Sequence, residues 1–341
     1  MKILNITFSK GLGGLEQTFI DYTKAFEFQG NKVISIIHSK SKITSNAEAI
    51  RINAFSKYDP FACIKLAYLI KKEKPDAILT HGNKAHSITK IAINLSNQKV
   101  LHIGVCHSDG FNIIKKTDYI ISVGKKLLEN LLASGFKKEK SICINNMIDL
   151  SYSHNNRTPS TTTRIGFLGR FDNCKGADLF IEALSKVKSN GINFKAIIGG
   201  DGEEREKLTR IAIDRGIQES IEMIGWVEDK EKFFNNIDIL CVPSREESFG
   251  IVILEAMKYG VPVIASNVSG PSEIITHGTD GMLFKSEDID DFASKIKELC
   301  ENNELWKKLH TNGYETVQKY DIGKVSKQLN DTIAKWVKDN K

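Results

Sequence analysis

Short apolar runs alternate with longer amphipathic stretches along almost the whole chain. A short, continuously apolar run is the pattern of a strand buried on both faces. An amphipathic stretch between two such runs is the pattern of a crossover helix, so the rhythm calls for parallel sheets covered by helices. In the first half, strands are predicted near Ile3–Ser9, Val33–His38, Ala77–His81, Val100–Cys106, Tyr119–Val123 and Ser141–Asn145. Helices are predicted between most of them, including Leu15–Phe28, closed by Gly30, and Phe61–Lys72, which ends before Pro75.

The rhythm breaks once. Asp149–Thr163 is polar, has no apolar periodicity and contains Pro159, and reads as an interdomain linker. The pattern then restarts, with strands predicted at Arg164–Leu168, Lys195–Gly199, Ile221–Trp226, Ile237–Val242, Val261–Ala265 and Met282–Phe284; from Asp288 onward only helices are expected. A length of 341 residues suits two domains of about 100 to 200 residues each. The fold class is therefore α/β, with two doubly wound domains at 1–150 and 164–320, a linker at 151–163 and a C-terminal helix at 321–341. The last helices are free to return toward the first domain.

With 41% hydrophobic and 26% charged residues the chain can bury a sizeable core, which excludes disordered and fibrous classes. Its opening apolar run is too short for a signal peptide and no run is long enough to span a membrane, so a cytoplasmic protein is expected. The six cysteines are scattered, most within apolar runs, and read as reduced core residues. Charge is uneven: residues 1–150 hold 22 Lys and Arg against 12 Asp and Glu, a balance of +10 within an overall +6. That bias suits an anionic partner such as a membrane or a phosphorylated substrate, or is simply a lysine-rich solvated surface. No nucleic acid partner is expected.

Three segments carry candidate chemistry. Gly11-Leu12-Gly13-Gly14-Leu15-Glu16 is a glycine turn between a strand and a helix, able to approach a phosphate at a helix N-terminus. Glu16 stands where the dinucleotide fingerprint needs glycine, which weakens an oxidoreductase reading. Gly169-Arg170-Phe171-Asp172-Asn173-Cys174-Lys175-Gly176 follows another strand, and two cations there would suit a diphosphate. The third, Ser244 to Met257, places Glu247 in a loop and Glu255 eight residues on, about two turns into an apolar helix starting near Phe249. The amides of Phe249, Gly250, Ile251 and Val252 would form its anion-binding first turn. A charged Glu255 between Leu254 and Ala256 needs a partner if buried.

These segments, with Gly260-Val261-Pro262-Val263-Ile264 and the glycines from Gly270 to Gly281, resemble the retaining glycosyltransferases of family 4, which have the GT-B fold of two Rossmann-like domains. The resemblance spans nearly the whole chain and is strongest from Gly166 to Leu283. It implies a nucleotide-sugar donor in the second domain and an acceptor, a glycan or lipid-linked hydroxyl, on the side of the first. It further implies that Gly13 and Gly14 abut the donor diphosphate, that Arg170 and Lys175 clamp it, that Glu247 contacts the donor sugar and that Glu255 holds the ribose. Ser248 lies in the same matched segment. His107 resembles the family's active-site histidine, although His81 and His102 also lie in strand contexts. Gly200, Trp226 and Val227 match positions near the nucleotide.

The expected activity is glycosyl transfer to a hydroxyl, with no metal or other cofactor, in the synthesis of a cell-surface glycan or lipopolysaccharide. Asp288-Ile289-Asp290-Asp291 comes where a helix should begin and reads as a cap rather than a metal platform. A sugar-nucleotide epimerase or hydrolase on the same fold, or a non-catalytic sugar-nucleotide-binding subunit, are the alternatives. The segment Gly124–Lys138, with Leu127, Leu128, Leu131 and Leu132 on one stripe between lysine pairs, is compatible with contact to an anionic membrane or with a crossover helix burying its leucines.

Overall fold

The computed structural model describes residues 1–44, 49–151 and 157–340. The chain forms two compact units, Met1–Asp149 with Tyr320–Lys341, and Leu150–Lys319.

The first unit runs β1 (Lys2–Thr7), α1 (Gly14–Phe28), β2 (Lys32–His38), β3 (Ile50–Ile52), α2 (Pro60–Glu73), β4 (Ala77–His81), α3 (Asn83–Ser96), β5 (Leu101–Cys106), β6 (Tyr119–Ser122), α4 (Lys125–Ala133) and β7 (Ser141–Cys143). Its seven strands pair in the order β3-β2-β1-β4-β5-β6-β7, every pair parallel. The short edge strand β3 has too few residues to leave a periodic trace and was not anticipated. The second unit runs β8 (Thr163–Leu168), α5 (Ala177–Ser189), β9 (Phe194–Gly199), α6 (Arg205–Asp214), β10 (Ile221–Gly225), α7 (Lys230–Asn235), β11 (Ile239–Val242), α8 (Ile251–Lys258), β12 (Val263–Ser266), α9 (Ser269–Ile274), β13 (Met282–Phe284), α10 (Ile289–Glu301) and α11 (Asn303–Val317). Its six parallel strands lie in the order β10-β9-β8-β11-β12-β13. Both units are doubly wound α/β domains of the expected class.

Burial follows the pattern that defined the elements. In the second unit Phe180, Phe284 and Phe292 are buried between the sheet and its helices, Phe284 and Phe292 stacking at 4.1 Å between ring centroids. Trp306 on α11 is buried and donates its indole N–H to Asp238 O at 2.8 Å. Asp238 is itself buried, and its carboxylate is satisfied by the Arg164 backbone N–H at 2.8 Å and guanidinium at 2.9 Å, the condition on which a buried charge is tolerated. Asp288 caps α10 by accepting from the Asp291 N–H at 3.1 Å.

Two expectations change, and for the leucines of α4 the burial favours the crossover reading. Residues 152–156 of the expected linker lie outside the described residues, but its second half is no free tether. The Arg157 guanidinium donates to Phe234 O at 2.7 Å and Ser160 Oγ to Asp238 Oδ1 at 3.1 Å, fastening that segment to the second unit. Such anchoring is invisible in composition, because polar side chains that bind backbone carbonyls read as solvated ones. Of the cysteines, Cys63, Cys106 and Cys241 are core residues, Cys143 and Cys300 are half-buried, and Cys174 is exposed in the loop after β8. On α4, Leu127 and Leu131 are buried and Leu128 and Leu132 half-buried, so the leucine stripe is spent largely on its own unit.

After α11 the chain returns to the first unit as α12 (Ile322–Asp339). It is stitched to Ile148 by two backbone bonds of 2.9 Å, Ile148 N–H to Tyr320 O and Ile322 N–H to Ile148 O. It packs on α1, and just past the end of that helix Gln29 donates to Ser326 and Asn31 to Asn330, each at 2.9 Å. Buried Trp336 stacks on Tyr119 at 4.4 Å between ring centroids. Truncating Trp336 to Ala removes this stack together with its buried surface, and should lower the stability of the first unit by about 3 kcal/mol. Urea unfolding followed by circular dichroism measures it; a shift under about 0.5 kcal/mol would mean that α12 contributes little.

Candidate active site

In an open parallel sheet, ligands gather outside the carboxyl ends of the strands where the strand order reverses, because the loops there diverge to opposite faces and leave a crevice. In the second unit the reversal falls between β8 and β11. The loop after β8 carries Arg170 and Lys175; the loop after β11 carries Glu247. The structure brings Lys175 Nζ to 2.6 Å from Glu247 Oε2, with both side chains largely shielded.

The contact is enforced by backbone. Gly176 has φ 68°, and a Cβ there would lie 2.1 Å from Pro243 O, so only glycine lets the two loops touch. The Arg245 N–H donates to Cys174 O at 2.8 Å, and its guanidinium grips Asp178 through two bonds of 2.9 and 2.8 Å. Glu247 is held by its carbonyl, which accepts from Gly270 N–H at 2.9 Å and Ser269 Oγ at 3.2 Å. Ser248 follows half-buried.

Gly250, at φ 95°, is the N-cap of α8, which therefore starts at Ile251 rather than near Phe249. A left-handed residue cannot continue a helix backward, so buried Phe249 precedes the helix and takes no part in its first turn. The helix-start amides are those of Ile251 and Val252. Glu255 consequently sits just over one turn into α8, not two. It is nearly buried, and its partner is Lys230, the first residue of α7. The need for such a partner was legible in the sequence, but its identity 25 residues away was not.

Arg170 is not drawn into the Lys175–Glu247 pair. It is 65% exposed and bridges to Asp172 at 3.0 Å. Gly200 is fixed by contact: a Cβ there would lie 1.8 Å from Gly169 O, and its N–H donates to Gly225 O at 2.7 Å. That bond ties the end of β9 to that of β10, the Gly169 N–H joins β8 to them by donating to Gly199 O at 3.1 Å, and Trp226 follows exposed beside half-buried Val227.

The first unit's strand order reverses between β1 and β4. Gly13 is the N-cap of α1 and Gly14 its first residue; Glu16 folds back to accept from the Gly13 N–H at 2.7 Å. The residue that departs from the dinucleotide fingerprint thus caps its own helix. Beside this turn runs a relay that sequence reading missed. Asn5 on β1 donates through Nδ2 to Phe19 O at 3.0 Å and Thr23 Oγ1 at 2.9 Å, so its Oδ1 accepts from His81 Nε2 at 2.9 Å. His81 Nδ1 is then the acceptor for His107 Nε2 at 3.0 Å. The chain of bonds fixes both tautomers and leaves His107 Nδ1 as an unprotonated acceptor.

Burial, reinforced by the neighbouring His107 and His86, holds the His81 pKa well below its ordinary value. Burial pushes His107 down to about 4. A second cluster is structural: Thr80 Oγ1 contacts His86 Nδ1 at 2.7 Å and His102 Nε2 at 3.0 Å. Burial pushes His86 to about 3 and His102 well down.

Comparison with known proteins adds family evidence to this geometry. Residues 151–316 match the family described as Glycosyl transferases group 1. The chain is 25% identical over 340 residues to the lipopolysaccharide core biosynthesis glycosyltransferase LpsE of Rhizobium meliloti, covering 96% of each chain. It is 31% identical over 267 residues to a 41.2 kDa protein in the cps region of Klebsiella pneumoniae, covering 69% of this chain and 71% of that one. In structure it resembles Anabaena Alr3699/HepE, solved with UDP-glucose, with a TM-score of 0.86 at 20% identity over 98% of this chain and 100% of that one, a likeness of fold.

Five depressed histidines, these four and His38, which burial also lowers, predict how the first unit responds to acid. Their folded pKa values lie below the unfolded value of about 6.5, so below that pH the unfolded chain binds more protons than the folded one. Stability should be full above about pH 6.5 and fall continuously as pH drops toward the folded values of about 4 for His107 and about 3 for His86. Urea midpoints measured from pH 7 to pH 5 test this, and a flat profile contradicts it.

Proposed function

Because residues 151–316 match the group 1 glycosyl transferases and the chain has the GT-B fold, we propose that it moves a sugar from a nucleoside-diphosphate donor to a hydroxyl acceptor. We read the transfer as retaining and metal-independent, in the manner of family 4. The observation that carries this reading is the Lys175–Glu247 pair at the strand-order reversal, beside the N-terminus of α8. Breaking the bond between the anomeric carbon and the diphosphate oxygen sends an electron pair to the diphosphate and leaves positive charge on the sugar. Lys175 and the amides of Ile251 and Val252 suit the first charge, and Glu247 suits the second. Arg170, exposed on its loop, reaches the diphosphate by leaving Asp172.

In the same-face route the acceptor hydroxyl attacks as the leaving group departs. The hydroxyl proton passes to the departing diphosphate oxygen, so no protein nucleophile is needed. Glu255, balanced by Lys230, is assigned to the ribose hydroxyls, with Gly200, Trp226 and Val227 beside the nucleotide. His107, held as an acceptor at Nδ1, is assigned to a sugar or acceptor hydroxyl. A role in assembling a cell-surface glycan is supported by the relatives, one named for lipopolysaccharide core synthesis and one encoded in a cps region. A nucleotide-sugar donor is supported by the UDP-glucose complex of the structural neighbour.

Turnover should survive excess EDTA, because fixed cations and helix amides supply the charge a metal would otherwise bring. Abolition by EDTA with rescue by magnesium or manganese contradicts the assignment.

The two glutamates should fail differently. Glu247→Ala should lower turnover about 100-fold or more while nucleoside-diphosphate affinity stays near the parent value. Glu255→Ala should weaken that affinity about tenfold. Titration calorimetry with the sugar-free nucleotide separates them, and equal losses of affinity would end the division of roles. Turnover of the donor at an undiminished rate without any acceptor would favour an epimerase or hydrolase instead.

A further inference from the structure

A crossover helix needs one apolar face, the face laid on its sheet. Helix α2 has two. Its inner face is formed by Ala62, Cys63, Leu66, Ala67 and Ile70, all buried. On the outside Phe61, Ile64 and Tyr68 stand in solvent, Phe61 82% exposed, at the spacing i, i+3, i+7. Ten large apolar side chains are exposed among the described residues, and five of them lie between 55 and 68, which makes this a patch rather than scatter.

The other two are Phe55 and Tyr58, in the loop that enters α2, and that loop is built. Buried Asp59 accepts from the Phe55 N–H at 2.9 Å with one oxygen and from the Phe61 and Ala62 N–H groups at 3.0 and 3.1 Å with the other, tying the loop to the helix start.

The charges around the patch select its occupant. At 100° per residue Lys71 falls on one side of the Ile64–Tyr68–Phe61 stripe, and Lys72 and Lys65 on the other, within an arc of about 120°. Lys57 and Lys74 extend the same sign. The acids in this stretch are Asp59, spent on backbone, and Glu73, paired with Lys2 at 3.4 Å. A second copy of the chain meeting this face through a twofold axis would set lysines against lysines. Aromatic side chains flanked by lysines suit the headgroup boundary of an anionic bilayer, where rings enter the interface and ammonium groups meet lipid phosphates. We propose that residues 55–74 are the surface by which this protein docks on an anionic lipid membrane, and that α4, with Leu127 and Leu131 buried and Leu128 and Leu132 half-buried, is not.

The test is co-sedimentation of the full chain, without donor, with phosphatidylcholine vesicles of increasing phosphatidylglycerol content, so its outcome is independent of the transferase reading. Binding should rise with phosphatidylglycerol and fall at high salt. Phe61→Ser with Tyr68→Ser should reduce the partition coefficient at least tenfold. Lys65→Ser, Lys71→Ser and Lys72→Ser should each reduce it about fivefold. Lys125→Ser with Lys126→Ser should leave it unchanged. All these side chains are exposed, so thermal unfolding of the variants should match the parent. The proposal is overturned by vesicle binding that is absent at low salt, or that survives both the aromatic and the lysine variants. A lipid-free dimer that Phe61→Ser with Tyr68→Ser dissociates, seen by light scattering, would also overturn it and reassign the face to self-association.

Discussion

The ion pair between Lys175 and Glu247 exists because two loops leave neighbouring parallel strands for opposite faces of the sheet, and the constraint behind it is the reversal of strand order between β8 and β11. Everything that shapes the second unit's site answers to that geometry. Gly176 permits the loops to meet, Arg245 ties one to the helix that follows the other, and the start of α9 holds Glu247 by its carbonyl. A charged pair at 2.6 Å in shielded surroundings is held by the fold before any ligand arrives, and the cost of ordering its side chains is already met within folding.

The first unit solves a different problem at its own reversal, between β1 and β4. Asn5, His81 and His107 place polar atoms among Phe19 and Tyr22, and burial alone would make that expensive. The cost is contained because the rings are neutral and each bond leaves its neighbour one available role. A network of this kind specifies a tautomer as firmly as packing specifies a rotamer.

The strands were legible because parallel strands buried on both faces are continuously apolar, a signal that needs no partner to be read. Edge strand β3 was not, since Ile50-Arg51-Ile52 is too short to carry a period. In the site, the residues standing at strand ends could be found from local pattern: Lys175 and Glu247 each follow an apolar run and a glycine or proline. Partnerships between distant loops could not. Lys230 for Glu255 and Arg157 for the carbonyls around Phe234 depend on how the sheet orders its strands, which no local window contains. The start of α8 was misplaced by two residues because Phe-Gly reads as apolar helix until the left-handed φ of Gly250 is known. His81 was noted only as a rival to His107, because sequence spacing cannot show two rings meeting across β4 and β5.

The return of α12 to the first unit makes that unit discontinuous, whereas the second is one uninterrupted segment. On a ribosome the two are therefore completed in the reverse of their order in the chain. When Lys319 has left the exit tunnel the second unit has all its residues, while the surface of α1 that α12 will cover still waits for that helix. The N-terminal unit is thus the last to be closed, and a nascent chain stalled before Ile322 carries a finished C-terminal unit and an N-terminal one with its apolar flank open to chaperones.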